Sequence, residues 1–272
     1  MRQKRIFFAA LTIAAGALLG GQAWADRLDD IQKAGVVRVA AFDSNPPWGF
    51  VDAQSKKIIG LDLDYAQEFA KRLHVKLEIV PTNPANRVPL LTSGKVDLVI
   101  ANFTITEERA KAVNFSIPYF AVGTQFIAKK GFLKSPDQLR GLRIGVDKGT
   151  TNEIQLRQQY PTATLVAYDD SPFGLTALRN GQVQAFAQDG PVLIGLLSHL
   201  PDRAKYEIPP FTISQDYIDI GLPKDDQALT DYVNTTLRQI EADGTAAKIY
   251  DAWFGPGTKA PLKRTFKIGD KV

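Results

Sequence analysis

The sequence predicts an α/β chain of two lobes, each a mostly parallel sheet flanked by helices. Three observations carry this expectation. Short β-branched runs alternate with stretches of helical periodicity, the order that lays helices over a parallel sheet. The alternation runs through one series to about residue 101 and then through a second of similar size. No segment after residue 25 is long and apolar enough to cross a bilayer, so the apolar runs read as buried strands.

Each element has its own justification. "VVRVAA" (36–41) reads as a strand, and "DLDYAQEFAKRL" places Ala66, Phe69, Ala70 and Leu73 on one helix face. "VKLEIV" (75–80) alternates as a strand does. "NRVPLLTSG" reads as a short helix closed by Gly94, with Pro89 tolerable in its first turn. "VDLVIA" completes the first series. The second begins with the strand "GTQFIAKK" and the helix start "SPDQL", where Ser135 caps and Pro136 follows. It continues as strand "LRIGVD", helix "TNEIQLRQQY", strand "ATLVAY", helix "SPFGLTALRNG", strand "VQAFAQD" and helix "PVLIGLLSHL". The tail predicts two helices parted near Gly244. No low-complexity linker separates the lobes, and the stretches 121–127 and 216–222 are the candidate crossings. Periodicity does not show to which lobe the tail returns.

The start of the chain has a basic region, "MRQKR", a fourteen-residue apolar region and an A-x-A end at Ala23–Ala25, the pattern of a cleaved secretory signal over 1–25. Fourteen residues fall short of the roughly 20 a spanning helix needs. The expected mature chain, 26–272, loses Arg2, Lys4 and Arg5 and keeps 30 basic against 29 acidic residues. A net charge of +1 gives no reason to expect nucleic acid or an acidic membrane as partner. The absence of cysteine excludes lipidation at the cleavage site, disulfides and thiol chemistry. The two histidines, His74 and His199, are far apart, which argues against a metal site. No cofactor is expected.

The most informative stretch is "VDLVIANFTITEERAKAV". In open α/β sheets ligands bind beyond the carboxyl ends of strands, and here a buried strand runs into Asn102 and Thr104 at that end. Thr106 is placed to cap the following helix, with Glu107 and Glu108 suiting its positive end. Arg109, one turn in, offers a fork able to hold a carboxylate through two hydrogen bonds; equally, it could pair with a surface acid. In the second series "GVDKGTTNE" puts Thr150 and Thr151 at a helix start, where anions bind but where a plain cap is also served. The motif lacks the Lys-Ser/Thr of a phosphate loop. Asp189 ends the strand "VQAFAQD", either as a cap or as an acid facing a cleft.

The chain resembles the extracytoplasmic solute-binding proteins of polar amino-acid ABC importers. The resemblance rests on "GLDLDYAQEFAKRL", "LLTSGKVDLVI", "TITEERAKAVNFSIPYF", "LRGLRIGVDKGTTNE", "ALRNGQVQAFAQD" and "EADGTAAKIYDAWFG", in family order over essentially the whole mature chain. "NRVPLL" before "TSGKVDLVIANFTIT" makes it most similar to the glutamate/aspartate-binding members. The resemblance implies a two-lobed periplasmic-binding-protein fold of type II with a two-stranded hinge. Lobe 1 would hold 26–121 and 218–272, and lobe 2 would hold 122–217. It implies that Arg109, Thr104 and Thr151 hold a ligand α-carboxylate, and that Asp189 and the Asn102 backbone carbonyl accept from its α-ammonium. Arg87, Asn45, Trp48 and Ser171 would meet the ligand side chain. Trp48 reads equally as core, and Arg87, at a helix start, sits where a cation is electrostatically misplaced. Some glutamate/aspartate binders carry an arginine where this chain has Phe42 and a histidine where it has Ser171, so glutamine, asparagine or another polar amino acid stays open beside the acidic pair.

The function so implied is capture of a free amino acid between the lobes by a monomeric periplasmic protein that hands it to a membrane permease. The rival class is an enzyme on the same fold, such as a cyclohexadienyl dehydratase, which needs a positioned general acid or base. Neither histidine falls at a strand's carboxyl end, so the reading is non-catalytic. A third class, a ligand-sensing partner of a receptor, would call for a transmembrane or kinase segment that the sequence does not show.

Overall fold

The structure, a computed structural model, describes residues 27–270. The expected signal peptide lies outside the described residues. Among these, no helix is long and apolar enough to cross a membrane.

Two sheets form the frames of two lobes. In the first, strands run in the order Lys76–Thr82, Val36–Phe42, Leu98–Phe103, Asp216–Leu222, Asn114–Phe115. Val36–Phe42 lies parallel to Lys76–Thr82 in continuous register from Val36↔Lys76 to Phe42↔Thr82, and parallel to Leu98–Phe103 on its other side. The second sheet runs Thr164–Tyr168, Arg143–Asp147, Ala185–Asp189, Thr124–Lys129, Tyr206–Glu207, and its first three strands are parallel. The expectation of mostly parallel sheets is corrected at the strands that carry the chain between lobes. Thr124–Lys129 is antiparallel to Ala185–Asp189, and Asp216–Leu222 is antiparallel to Leu98–Phe103. A strand that enters a lobe directly from the other lobe has no crossover helix to turn it parallel.

The passage between lobes is a ribbon. Phe120–Val122 pairs antiparallel with Asp216–Leu222 through Asp216↔Val122, Tyr217↔Ala121 and Ile218↔Phe120. The final helices return to the first lobe, which periodicity left undecided. Trp253 Nε1 donates to Asp64 at 2.7 Å, and Arg72 reaches Asp243 at 2.7 Å, tying them to helix Leu61–Leu73. They are Gln227–Ala242 and Thr245–Phe254, parted at Gly244 with φ 80° as expected. Periodicity does not reveal the small sheet Ser44–Asn45, Gly49–Val51, Ile58–Ile59, because strands of two or three residues carry no period.

The main apolar core runs beneath the first sheet and along helix Gly190–Ser198 of the second lobe. Trp48 is fully buried in it, 4.6 Å from the ring of Phe120 and 6.4 Å from Phe254. The core alternative for Trp48 is the one the structure adopts.

Candidate ligand site between the lobes

The site grows from strand ends. Leu98–Phe103 is buried at every position, and at Asn102 the backbone turns to φ 46°, a left-handed conformation that Asn tolerates better than most side chains. A buried carboxylate fixes that turn: Asp62 accepts from the Asn102 amide at 3.1 Å and from the Tyr119 hydroxyl at 2.7 Å. The chain then reaches helix Glu107–Ala112, capped by Thr106, whose Oγ1 accepts from the Arg109 amide at 3.2 Å. This cap throws the Arg109 side chain back over the strand end, its guanidinium 4.9 Å from the Phe103 ring.

The second lobe supplies the facing wall. Thr150 caps helix Thr151–Gln159, accepting from the Glu153 amide at 3.2 Å and donating its hydroxyl to the Asp147 carbonyl at 2.7 Å. Thr151 is buried in the first turn and lines the cavity. Asp189 ends its strand, and both carboxylate oxygens accept amide hydrogens, from Asn152 at 3.0 Å and from Asn102 of the opposite lobe at 2.8 Å. Phe42, Arg87, Asn102, Thr104, Arg109, Thr151 and Asp189 thus share one cavity between the lobes.

The lobes touch across it. Gly149, held at φ 76° in the turn before Thr150, presents its carbonyl to Arg109 Nη2 at 2.8 Å and to Arg87 Nη2 at 3.5 Å. Arg109 Nη1 also donates to the Thr104 carbonyl. Among the described residues, the acceptors of the two guanidiniums are neutral backbone carbonyls. Among the described residues no ion pair involves Arg87, Arg109 or Asp189. Burial pushes Arg109 down to about 10, with Asp189 and Asp216 acting in the opposite sense. Burial also pushes Asp189 up to about 6, opposed by the amides of Asn152 and Asn102. Arg87 is pushed well below its ordinary value, by burial first and by Arg109 second. Both guanidiniums remain cations at neutral pH.

Several sequence expectations change here. The Asn102 carbonyl, expected to face an ammonium, accepts from Arg87 Nη1 at 2.6 Å, and it is the Asn102 side chain that reaches the second lobe. Arg87 lines the cavity but is locked to backbone, with Nε on the Pro84 carbonyl at 3.0 Å and Nη1 also on that of Ala101 at 3.1 Å. Its ring neighbours are Phe103 at 4.6 Å and Phe42 at 5.8 Å, so Phe42 supports the arginine instead of replacing one. Trp48, Asn45 and Ser171 do not line this cavity. Trp48 is core. Ser171 opens helix Ser171–Arg179 and donates its hydroxyl to Asp147. Asn45 is buried where the small sheet meets the second lobe. The sequence reading passed over Asn152 and Gln188, which line the cavity. Each adjoins a residue that was singled out, Thr151 or Asp189, and their position at a helix start and a strand end was the available signal.

A guanidinium on one lobe and a carboxylate on the other thus line one cavity, with no ion pair between them among the described residues. Several known proteins are similar to this chain over most of its length. The L-cystine-binding protein TcyJ of Escherichia coli (strain K12) is 30% identical over 93% of this chain and 96% of its own length. The glutamate/aspartate import solute-binding protein of the same organism is 30% identical, covering 97% and 94%. The crystal structure of an ancestral amino acid-binding protein, AncCDT-1, described as a precursor of cyclohexadienyl dehydratase, superposes with a TM-score of 0.76 at 31% identity over 85% of this chain and all of that one. The family model of bacterial extracellular solute-binding proteins, family 3, matches residues 37–256, which takes in both sheets, the ribbon between them and every residue of the cavity; the chain is a member of that family.

Proposed function

We propose that this protein binds a free α-amino acid between its lobes and delivers it, as a periplasmic monomer, to an ABC-type permease. Arg109, with Thr104 and Thr151, takes the α-carboxylate, and Asp189 takes the α-ammonium. One observation carries the reading: Arg109 and Asp189 stand on different lobes, face the same cavity, and have only neutral partners. A carboxylate is a stronger acceptor for Arg109 than the Gly149 and Thr104 carbonyls, since charge-assisted bonds are roughly twice as strong as neutral ones. The ligand thereby joins 26–121 and 218–272, which we take as one moving body, to 122–217, and shifts the equilibrium about the ribbon toward closure.

The binding reading is tested by calorimetry after a thermal-shift screen against the twenty amino acids, because a ligand of the native state alone raises its melting temperature. Arg109→Ala and Asp189→Ala should each weaken the selected ligand at least about tenfold, since stranding a buried charge costs roughly 2–5 kcal/mol. Near wild-type affinity in both variants removes these roles. The acidic preference implied by Arg87 has less support, because its Nε and Nη1 donors are already placed on carbonyls. Catalysis has no comparable support: neither His74 nor His199 lines the cavity, and failure of purified protein to turn over arogenate or prephenate is the expected result.

A further inference from the structure

Asp189 is tied to the crossing strands by a run of side chains that leads out of the cavity. Asn152 gives one Nδ2 hydrogen to Asp189 Oδ1 at 3.0 Å and the other to Thr124 Oγ1 at 2.8 Å. The Thr124 hydroxyl donates to Gln155 Oε1 at 2.9 Å. Gln155 Nε2 in turn faces both oxygens of Asp216, at 2.9 and 3.1 Å. Asn152 and Gln155 lie three residues apart on one face of helix Thr151–Gln159. Thr124 opens the first crossing strand and stands opposite Asp189 in register. Asp216 opens the second crossing strand and pairs with Val122 in the ribbon. Ser214 tightens the same corner, its Oγ accepting from the Thr124 amide at 3.0 Å and donating to Asp216 at 2.6 Å. The bridge thus starts at the cavity and ends on the ribbon, touching both crossings.

The two ends fix the direction of every bond between them. An ionised carboxylate only accepts, so Asn152 must turn its Nδ2 to Asp189 and Gln155 its Nε2 to Asp216. Gln155 Oε1 is then left for the one hydroxyl hydrogen of Thr124, whose lone pair takes the second hydrogen of Asn152. Thr124 and Asn152 are buried, so bulk water does not make good a missing partner there.

Building on the amino-acid-binding reading above, we propose that Gln155 and Asp216 are positioning residues for the ammonium end of the ligand: through Thr124 and Asn152 they hold the Asp189 carboxylate in the orientation that takes the ammonium. Neither side chain lines the cavity. Gln155, being neutral, acts on the ligand through Asp189. Asp216 adds to the negative charge acting on Asp189. Like charges joined in this way repel, and an ammonium at Asp189 offsets that repulsion.

Titration calorimetry of the wild type against the twenty amino acids and cystine identifies the tightest binder, and the variants are measured with that compound. Gln155→Ala and Gln155→Met should each weaken it at least about fivefold, a coupling of the size found within one hydrogen-bond network. In an Asp189→Ala background the same substitutions should cost less than about twofold, because the carboxylate they position is gone. Asp216→Asn, which loses the charge, should weaken the wild-type site as well. A Gln155 that merely braces the crossing strands would lower the melting temperature and weaken binding equally with and without Asp189, or not at all, and either result overturns the proposal. Should Gln155→Ala fail to fold, Gln155→Met, which keeps the length of the side chain, decides. Equal losses in the two backgrounds sink the bridge and leave the site of Arg109 and Asp189 standing. A wild type that binds none of these compounds loses both.

Discussion

At the scale of single residues, the unusual feature is a set of carboxyls that lie deep in the protein with no ion pair among the described residues. Asp62 and Asp147 are each pushed up to about 7 and Asp189 to about 6, with burial as the leading cause in all three. Their folded-state values lie above the roughly 3.9 of an unfolded aspartate. Through the interval from about pH 4 to about pH 7 the folded chain therefore holds more protons than the unfolded one, and stability falls as pH rises. Calorimetric scans of the ligand-free protein should show a higher melting temperature at pH 5 than at pH 7.5. Asp62→Asn and Asp147→Asn should flatten that slope, and a melting temperature rising over the same interval would show that these carboxyls are ionised without cost. The positions of Arg109 and Asp189, one turn past a strand end and at a strand end, are legible as local patterns, while their ligand roles came from the family resemblance alone, since a surface ion pair and a plain cap fit the same patterns. The burial of Asp147 was not legible, although it closes the strand "LRIGVD". An acid at a strand end has many uses, and only the fold shows this one fully buried.

At the scale of elements, the caps do the positioning. Thr106 holds the first turn of Glu107–Ala112 and so sets where Arg109 emerges. Thr106→Ala should lower stability by about 1 kcal/mol in urea denaturation, the usual cost of an N-cap. It should also weaken ligand binding, because the arginine's root loses its hydrogen bond; unchanged affinity would mean that Arg109 is held by Phe103 and the Thr104 carbonyl alone. Long periodic elements followed the sequence closely: the strand at 36–42 and the helices on either side of Gly244 appear where pattern and punctuation put them. "SPDQL" became only a 3₁₀ turn, Pro136–Leu139, with Gln138 Oε1 accepting from the Ser135 amide at 3.2 Å. Four residues before a β-region Arg140 give a helix no room to propagate.

At the scale of the whole molecule, closure depends on how near two surfaces can come. Gly195 on helix Gly190–Ser198 faces the Pro46 carbonyl of the first lobe, and a Cβ there would overlap that carbonyl. Gly195→Ala should hold the lobes apart. The cost of overpacking, about 1–3 kcal/mol, corresponds to ligand binding weaker by a factor of roughly 5 to 150. X-ray scattering should show a ligand-saturated variant more extended than the ligand-saturated wild type, while an equal radius of gyration would place the movable contact elsewhere.

The sequence by itself determined the two α/β series and their approximate elements, because periodicity, caps and strand termini are written within a few residues of one another. The tertiary structure alone decided that the crossing strands run antiparallel, that Trp48 is core, and that the Asn102 carbonyl serves Arg87. Each of these depends on groups far apart in the chain competing for the same space or the same hydrogen bond, and that competition is settled only when both lobes are folded and face each other.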